Sequence, residues 1–198
     1  MARQYDAFRH ELNSVSHDDF TRRVLELDCH GFGDKSELYA TIATEWGLPN
    51  ELRDRLLASF WSMYKEDCRL SDDTRVTLQC LRERGMKLGV ITNGETGWQQ
   101  RKIDSLGITS WFDAILISEA EGVRKPDPEI FRRALARCGV EAFEAMFVGD
   151  NPEADIGGAL QAGLHAAWKI VPYWSCPHDV PYLTQLSDVL ALCNNHRW

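Results

Sequence analysis

Four short apolar runs in the second part of the chain constrain the fold more than any other feature. They occupy residues 87–94, 114–118, 145–150 and 165–170, and segments long enough to form a helix separate them. Buried strands that alternate with helices need crossover connections, which are right-handed and make the strands parallel. The pattern therefore predicts an α/β fold, a parallel sheet with helices on both faces.

The first part of the chain has a different pattern, with one helix after another and no strand over residues 4–69. Apolar side chains recur there at helical spacing, as in Leu52, Leu56 and Phe60, which is typical of amphipathic helices. The change in period near residue 70 predicts two domains. We expect a helical domain at 1–69 and an α/β domain at 70–198.

The charge balance and the cysteine spacing exclude several classes of function. The chain has 22 Lys and Arg against 30 Asp and Glu, a net charge of −8, and an acidic surface argues against binding nucleic acid. No apolar run approaches the roughly 18 residues that a membrane span needs, and the charged N-terminus is unlike a secretory signal. We therefore expect a cytoplasmic protein. Its six cysteines lack any Cys-x-x-Cys pair, which predicts reduced thiols rather than a zinc site.

Polar side chains follow the predicted strands where each strand ends. A hydroxyl and two amides follow the first strand, a lysine precedes the third, and two carboxylates flank the turn after the third. Because ligands of open parallel sheets bind at the carboxyl ends of the strands, we expect these groups to lie together. The residues are Thr92, Asn93, Gly94, Lys125, Asp150 and Asp155.

The chemistry of these groups favours a phosphate site. Paired carboxylates suit Mg²⁺, which is usually held by one or two carboxylates together with a substrate phosphate. A hydroxyl and backbone amides can cradle the phosphate. Each feature alone is more often an ordinary turn or a solvated charge. Their occurrence at successive strand ends favours the functional interpretation.

Three segments resemble the second, third and fourth motifs of the haloacid dehalogenase superfamily. They are Ile91–Gly94, Arg124–Pro128 and Val148–Asp155. The helical residues 1–69 resemble the cap of the phosphatase-like subfamily. The resemblance implies a Rossmann-like core with an α-helical cap, and a Mg²⁺-dependent phosphatase that acts on a small phosphorylated metabolite.

The resemblance also implies a role for each candidate residue. Thr92 and Lys125 would be catalytic, and both would contact the phosphoryl group together with Asn93 and Gly94. Asp150 would bind Mg²⁺. Asp155 would belong to the same metal site, orienting the metal or the lysine.

The first motif of the superfamily, Asp-x-Asp-x-Thr, does not occur in the sequence. Its first Asp is the nucleophile that forms an aspartyl-phosphate. The nearest imitation is Asp28-Cys29-His30, which we predict to be a helix end stopped by Gly31. We therefore expect a core without its first central strand and a chain with little activity by itself. A truncated reading frame, an incomplete piece of a longer chain and natural loss remain open explanations.

The missing strand would lie between the strands that end at Thr92 and Asp150. Without it, either these strands close the gap or their edges stay unpaired, and unpaired edges favour association with a second copy. Two other functions remain open. One is a non-catalytic module that binds Mg²⁺ and phosphate. The other is a 2-haloacid dehalogenase, whose nucleophilic Asp needs no metal, so the acid pair argues against it.

Overall fold

The computed structural model describes residues 2–31, 33–67 and 69–195. The chain divides into two units, Met1–Cys68 and Arg69–Trp198. None of the described helices combines the length and the hydropathy needed to cross a membrane. Cys68, one of the six cysteines of the sequence, lies outside the described residues.

Four helices form the first unit. Ser16 caps the second helix by accepting a hydrogen bond from the Asp19 N–H, and Asp34 caps the third in the same way. The third helix ends at Gly47, which has a left-handed φ of 64°, a conformation that glycine adopts without strain. The helices are α1 (Ala2–Phe8), α2 (His17–Asp28), α3 (Lys35–Trp46) and α4 (Asn50–Asp67).

The core of the first unit encloses one buried polar network. Gln4 is 1% exposed, and its Nε2 donates to the Leu56 carbonyl at 2.8 Å while its Oε1 accepts from the Tyr39 hydroxyl at 2.7 Å. Because both ends of the Gln4 amide are bonded, to Leu56 and Tyr39 of the buried apolar cluster, its burial leaves no unpaired amide group.

The described residues of the second unit form five strands and six α-helices. The strands are β1 (Gly89–Thr92), β2 (Ala114–Ile117), β3 (Met146–Gly149), β4 (His165–Lys169) and β5 (Tyr182–Leu183). The helices are α5 (Asp72–Glu83), α6 (Thr96–Leu106), α7 (Ser118–Glu121), α8 (Pro128–Cys138), α9 (Gly158–Gln161) and α10 (Val189–Asn195). A π-helical turn, Pro152–Gly157, leads directly into α9.

The strands form two parallel sheets. One has the order β1-β2, with Gly89 opposite Ala114, and the other has the order β3-β4-β5. The predicted α/β class and parallel strands are confirmed. Within the described residues β1 pairs with β2 alone and β3 with β4 alone, so the gap between β1 and β3 is not closed by pairing.

Packing on both faces joins the two sheets into one unit. On one face Ile91 of β1, Leu116 of β2 and Ala166 of β4 share a buried cluster with Phe131 of α8. On the other face Leu88, just before β1, packs in a cluster that includes residues of β3, β4, α5 and α10. All four residues of β3 are only half-buried, which is unusual for a strand flanked by helices and reflects its unpaired edge.

Several details differ from the sequence prediction. The four predicted strands form, each shortened at one or both ends, but β5 and α10 were not predicted. The five described cysteines form no disulfide. Among these five, Cys29 is exposed and the others are half-buried. Tyr173 and Trp174 lie between β4 and β5, and they are 41% and 38% exposed.

We expect Phe131→Ala to lower the free energy of unfolding by about 3–5 kcal/mol, since Phe131 is fully buried and makes an edge-to-face contact with Phe147. Phe143→Ala is the matched control, because Phe143 is 66% exposed, and its effect should stay within about 0.5 kcal/mol. Urea unfolding followed by circular dichroism measures both values. Equal losses in the two variants would contradict this assignment of the core.

Candidate active site

Asp155 lies at the centre of the polar residues that follow the strands. It sits in the π-helical turn after β3, and Asn151 caps that turn by accepting from the Glu153 and Ala154 N–H groups. Asp155 is 4% exposed. Its Oδ2 accepts from the Asp150 and Asn151 N–H groups at 3.1 and 3.0 Å, so the turn folds around its carboxylate.

The second oxygen of Asp155 binds the candidate lysine. Lys125 Nζ donates to Asp155 Oδ1 at 2.6 Å, and the two side chains are 11% and 6% exposed. The ammonium also lies 5.3 Å from the centre of the Phe147 ring, within the range of a cation–π contact. The loop that carries Lys125 continues through a cis peptide bond into Pro126. The lysine is therefore held at a partly buried position beside β3.

Gly149, the last residue of β3, has no space for a side chain. A Cβ added there would overlap the Asp155 carboxyl group. The Gly149-Asp150 sequence thus has a steric cause, because the strand must end without a side chain for Asp155 to fold back against it.

Asn93 joins the end of β1 to the lysine loop. Its Oδ1 accepts from the Lys125 N–H and its Nδ2 donates to the Lys125 carbonyl, both at 2.9 Å. The sequence predicted Asn93 as a phosphate-binding residue. The structure uses its side chain instead to hold the backbone of Lys125.

Thr92 and Gly94 flank Asn93 and differ in how they are bonded. The Thr92 side chain makes no hydrogen bond within the described residues, so its hydroxyl is available to a ligand. The Gly94 N–H, predicted to be a free phosphate donor, instead donates to the Ser118 hydroxyl at 3.0 Å. The sequence placed Ser118 at a strand end, but nothing in the pattern assigned it to this turn.

Asp150 has a different environment from Asp155. Burial raises the pKa of its carboxyl group, and the nearby Asp155 carboxylate raises it further. Within the described residues its carboxylate takes part in no ion pair, whereas its backbone carbonyl accepts from Trp168 Nε1 at 2.9 Å. A half-buried carboxylate without a cation is the kind of oxygen ligand that Mg²⁺ prefers.

The two predicted metal ligands therefore fit a metal ion unequally. The Asp150 carboxylate forms no ion pair within the described residues, whereas the Asp155 oxygens already accept from three protein donors. No group of three or more His, Cys, Asp or Glu side chains gathers as a metal site in the described part of the chain. Three of the roughly four acceptor positions of the Asp155 carboxylate are thus already used by protein donors.

Hydrogen bonds join four of the six predicted residues, and the other two are chain neighbours of Asn93. Asn93 is bonded to Lys125, Lys125 to Asp155, and Asp155 to the backbone of Asp150, while Thr92 and Gly94 adjoin Asn93. Asp28 is not part of this network. Asp28 ends α2 in the first unit and pairs with Lys35 at 2.6 Å, in keeping with the predicted helix end.

The comparison with known proteins shows the family. A model of haloacid dehalogenase-like hydrolases matches residues 8–163, so the chain belongs to that family. It is 42% identical over 106 residues to a ribulose-1,5-bisphosphate 5-phosphatase of Halopiger xanaduensis, covering 54% of this chain and 44% of that protein. It is 38% identical over 122 residues to a phosphoserine phosphatase of Thermus thermophilus, covering 62% and 48%. The chain thus spans less than half the length of these relatives.

A solved structure is similar over a larger share of both chains. The 2-haloacid dehalogenase of Pseudomonas syringae superposes with a TM-score of 0.62 at 26% identity, covering 98% of this chain and 88% of that one. The shared fold is thus found in proteins named for phosphate release and in one named for dehalogenation.

We expect Gly149→Ala to destabilise the second unit by about 1–3 kcal/mol, because the added methyl group overlaps the Asp155 carboxyl group. Gly89→Ala is the matched control in a strand. A Cβ there meets Cys138 Sγ at 3.5 Å, an ordinary contact, so this variant should unfold at or slightly above the parental temperature. Calorimetric melting of both variants tests the prediction, which fails if Gly149→Ala melts with the parent.

Proposed function

We propose that this chain carries the phosphate site of a Mg²⁺-dependent phosphohydrolase that acts on a small phosphorylated metabolite. The observation that carries the proposal is the buried Lys125–Asp155 pair, bonded through Asn93 to the turn that follows β1. These relatives named as phosphatases have higher sequence identities to this chain than the named dehalogenase has. This difference supports phosphate release over dehalogenation. The helical unit Met1–Cys68 would serve as the cap.

The proposed roles follow from the demands of phosphoryl transfer, in which positioning and charge neutralisation supply most of the catalysis. The Lys125 ammonium would neutralise the negative charge of the phosphoryl group, and Asp155 would hold the ammonium in place. The Thr92 hydroxyl would donate a hydrogen bond to a phosphoryl oxygen. Bound Mg²⁺ would withdraw further charge from the phosphoryl oxygens, and Asp150 would be its ligand from this chain.

Asp155 is proposed to act on this site mainly through other groups. Its carboxylate orients Lys125 with one oxygen and fixes the backbone N–H groups of Asp150 and Asn151 with the other. The carboxylate of Asp150 is thereby presented at the carboxyl end of β3. Both residues remain assigned to the metal site, Asp150 as the direct ligand.

The reaction also needs a nucleophile that the 198 residues do not supply in the family's Asp-x-Asp pattern. We propose that it belongs on a strand between β1 and β3, each of which has one unpaired edge within the described residues. The carboxyl end of such a parallel strand would lie between Thr92 and Asp150. Both strand ends that would flank the nucleophile already carry phosphate-site residues.

We expect this chain alone to release little or no phosphate from p-nitrophenyl phosphate in the presence of MgCl₂. Fusing a short apolar strand that ends in Asp-x-Asp-x-Thr to its N-terminus should restore turnover, and Asp150→Asn in the fused protein should abolish it. The matched control is the same fusion with Asn in place of the first Asp, which should remain inactive.

The outcomes of this experiment separate the candidate functions. Robust turnover by the unfused chain, abolished by Asp150→Asn, would contradict the missing nucleophile. Saturable, Mg²⁺-dependent binding of the ester without hydrolysis, even after fusion, would favour a binding module. Chloride release from 2-chloropropionate by the fused protein without Mg²⁺ would favour the dehalogenase, which the structural similarity keeps as the second candidate.

We also propose that the unpaired edges of β1 and β3 allow this chain to associate with a second copy. Unpaired strands present backbone donors and acceptors that another strand can satisfy. We expect light scattering after size-exclusion chromatography to show concentration-dependent dimers or larger species for this chain, and a monomer for the fused protein. Monomers of both at every concentration would refute edge-mediated association.

A further inference from the structure

The turn after β1 is held on three sides by hydrogen bonds to other parts of the second unit. On the first side, Asn93 forms two hydrogen bonds with the backbone of Lys125. Both polar atoms of the amide side chain are used on one residue, 32 positions away in sequence. This pairing fixes the position of the lysine backbone relative to the end of β1.

On the second side, Ser118 holds Gly94. Ser118 is 9% exposed, and its Oγ accepts from the Gly94 N–H at 3.0 Å while donating to the Gly94 carbonyl at 3.3 Å. The next residue extends the contact, because Glu119 Oε2 accepts from the Thr96 N–H at 2.7 Å. This backbone donor lowers the pKa of the Glu119 carboxyl group.

On the third side, α6 closes the turn. Gln99 Nε2 donates to the Asn93 carbonyl at 3.0 Å, and Gly94 has a φ of 148°, a conformation rare for residues other than glycine. These contacts matter because, within the described residues, β1 pairs with another strand on one side only. The neighbouring β2 end, the lysine loop and α6 supply the constraints that the other edge lacks.

We propose that Asn93 and Ser118 are positioning residues of the phosphate site, a role that rests on the proposed function. Asn93 sets the position of Lys125, and Ser118 sets the turn that presents the Thr92 hydroxyl. Neither side chain contacts the phosphate. Asn93, which the sequence predicted to bind phosphate, is thus proposed to act through Lys125.

Hydrogen exchange measured by NMR tests the two contacts directly. Asn93→Ala should speed exchange of the Lys125 amide about five- to tenfold, the effect of losing one hydrogen bond. Asn93→Asp keeps the acceptor for this amide and should leave its exchange slow. Ser118→Ala should likewise speed exchange of the Gly94 amide, whereas Ser118→Thr keeps the hydroxyl and should restore the slow rate. Unchanged rates in both alanine variants would overturn the proposal.

A double-mutant cycle separates positioning from direct binding. Calorimetry with inorganic phosphate and MgCl₂ should show weaker binding for Asn93→Ala and for Lys125→Ala. Adding Asn93→Ala to Lys125→Ala should cause no further loss, because Asn93 acts through the lysine. Ser118→Ala should likewise add nothing to Thr92→Val. Additive losses in both cycles would mean direct contacts with phosphate and would overturn the positioning roles.

The same titration distinguishes failure of this inference from failure of the proposed function. An absence of phosphate binding by the parent chain would overturn the phosphate site and this inference with it. Phosphate binding by the parent with additive losses would overturn the positioning roles alone. Circular dichroism melting of each variant shows whether its loss of binding exceeds any loss of folded protein.

Discussion

The buried pair between Lys125 and Asp155 is the interaction on which the rest of the candidate site depends. Removing one partner of such a pair strands a charge where water is scarce, so the surroundings must satisfy both groups. The molecule does so with the Asp150 and Asn151 N–H groups on one side and the Phe147 ring on the other. The requirement for Gly149 follows from the same pair, because the Asp155 carboxyl group occupies the space of its side chain.

Asp150 and Asp155 have identical side chains, but their different environments suit them to different roles. Asp155 is buried deeper, yet three donors compensate its charge. Asp150 is less buried and forms no ion pair within the described residues, and burial together with the nearby Asp155 carboxylate raises the pKa of its carboxyl group. A bound cation would stabilise the Asp150 carboxylate and gain little at Asp155. Sequence spacing cannot make this distinction, since it depends on which backbone N–H groups the turn directs toward which oxygen.

The sequence predicts the elements of the fold and site better than their bonding. Apolar runs bounded by turn residues were sufficient to place β1 to β4, although the residues of β3 are only half-buried. The strand β5 has two residues, Tyr182 and Leu183, and such a segment has no period to detect. At the site, the residue types pointed to phosphate, but Asn93 and Gly94 can bond protein groups as well as phosphate. Only the fold brings Lys125 and Ser118 within their reach.

Within the described residues one edge of β1 and one edge of β3 are unpaired. The interactions that assemble the second unit therefore differ from those that its proposed chemistry needs. Apolar side chains on both faces connect the two sheets through α8 on one side and through α5 and α10 on the other. Burial of this kind is non-directional, so it requires no hydrogen bond between β1 and β3. Catalysis is more demanding, because a nucleophile has to arrive in line with a phosphoryl group held between Thr92 and Lys125. Packing alone can therefore preserve the proposed phosphate site, whereas the proposed reaction would also require an ordered strand between the two sheets.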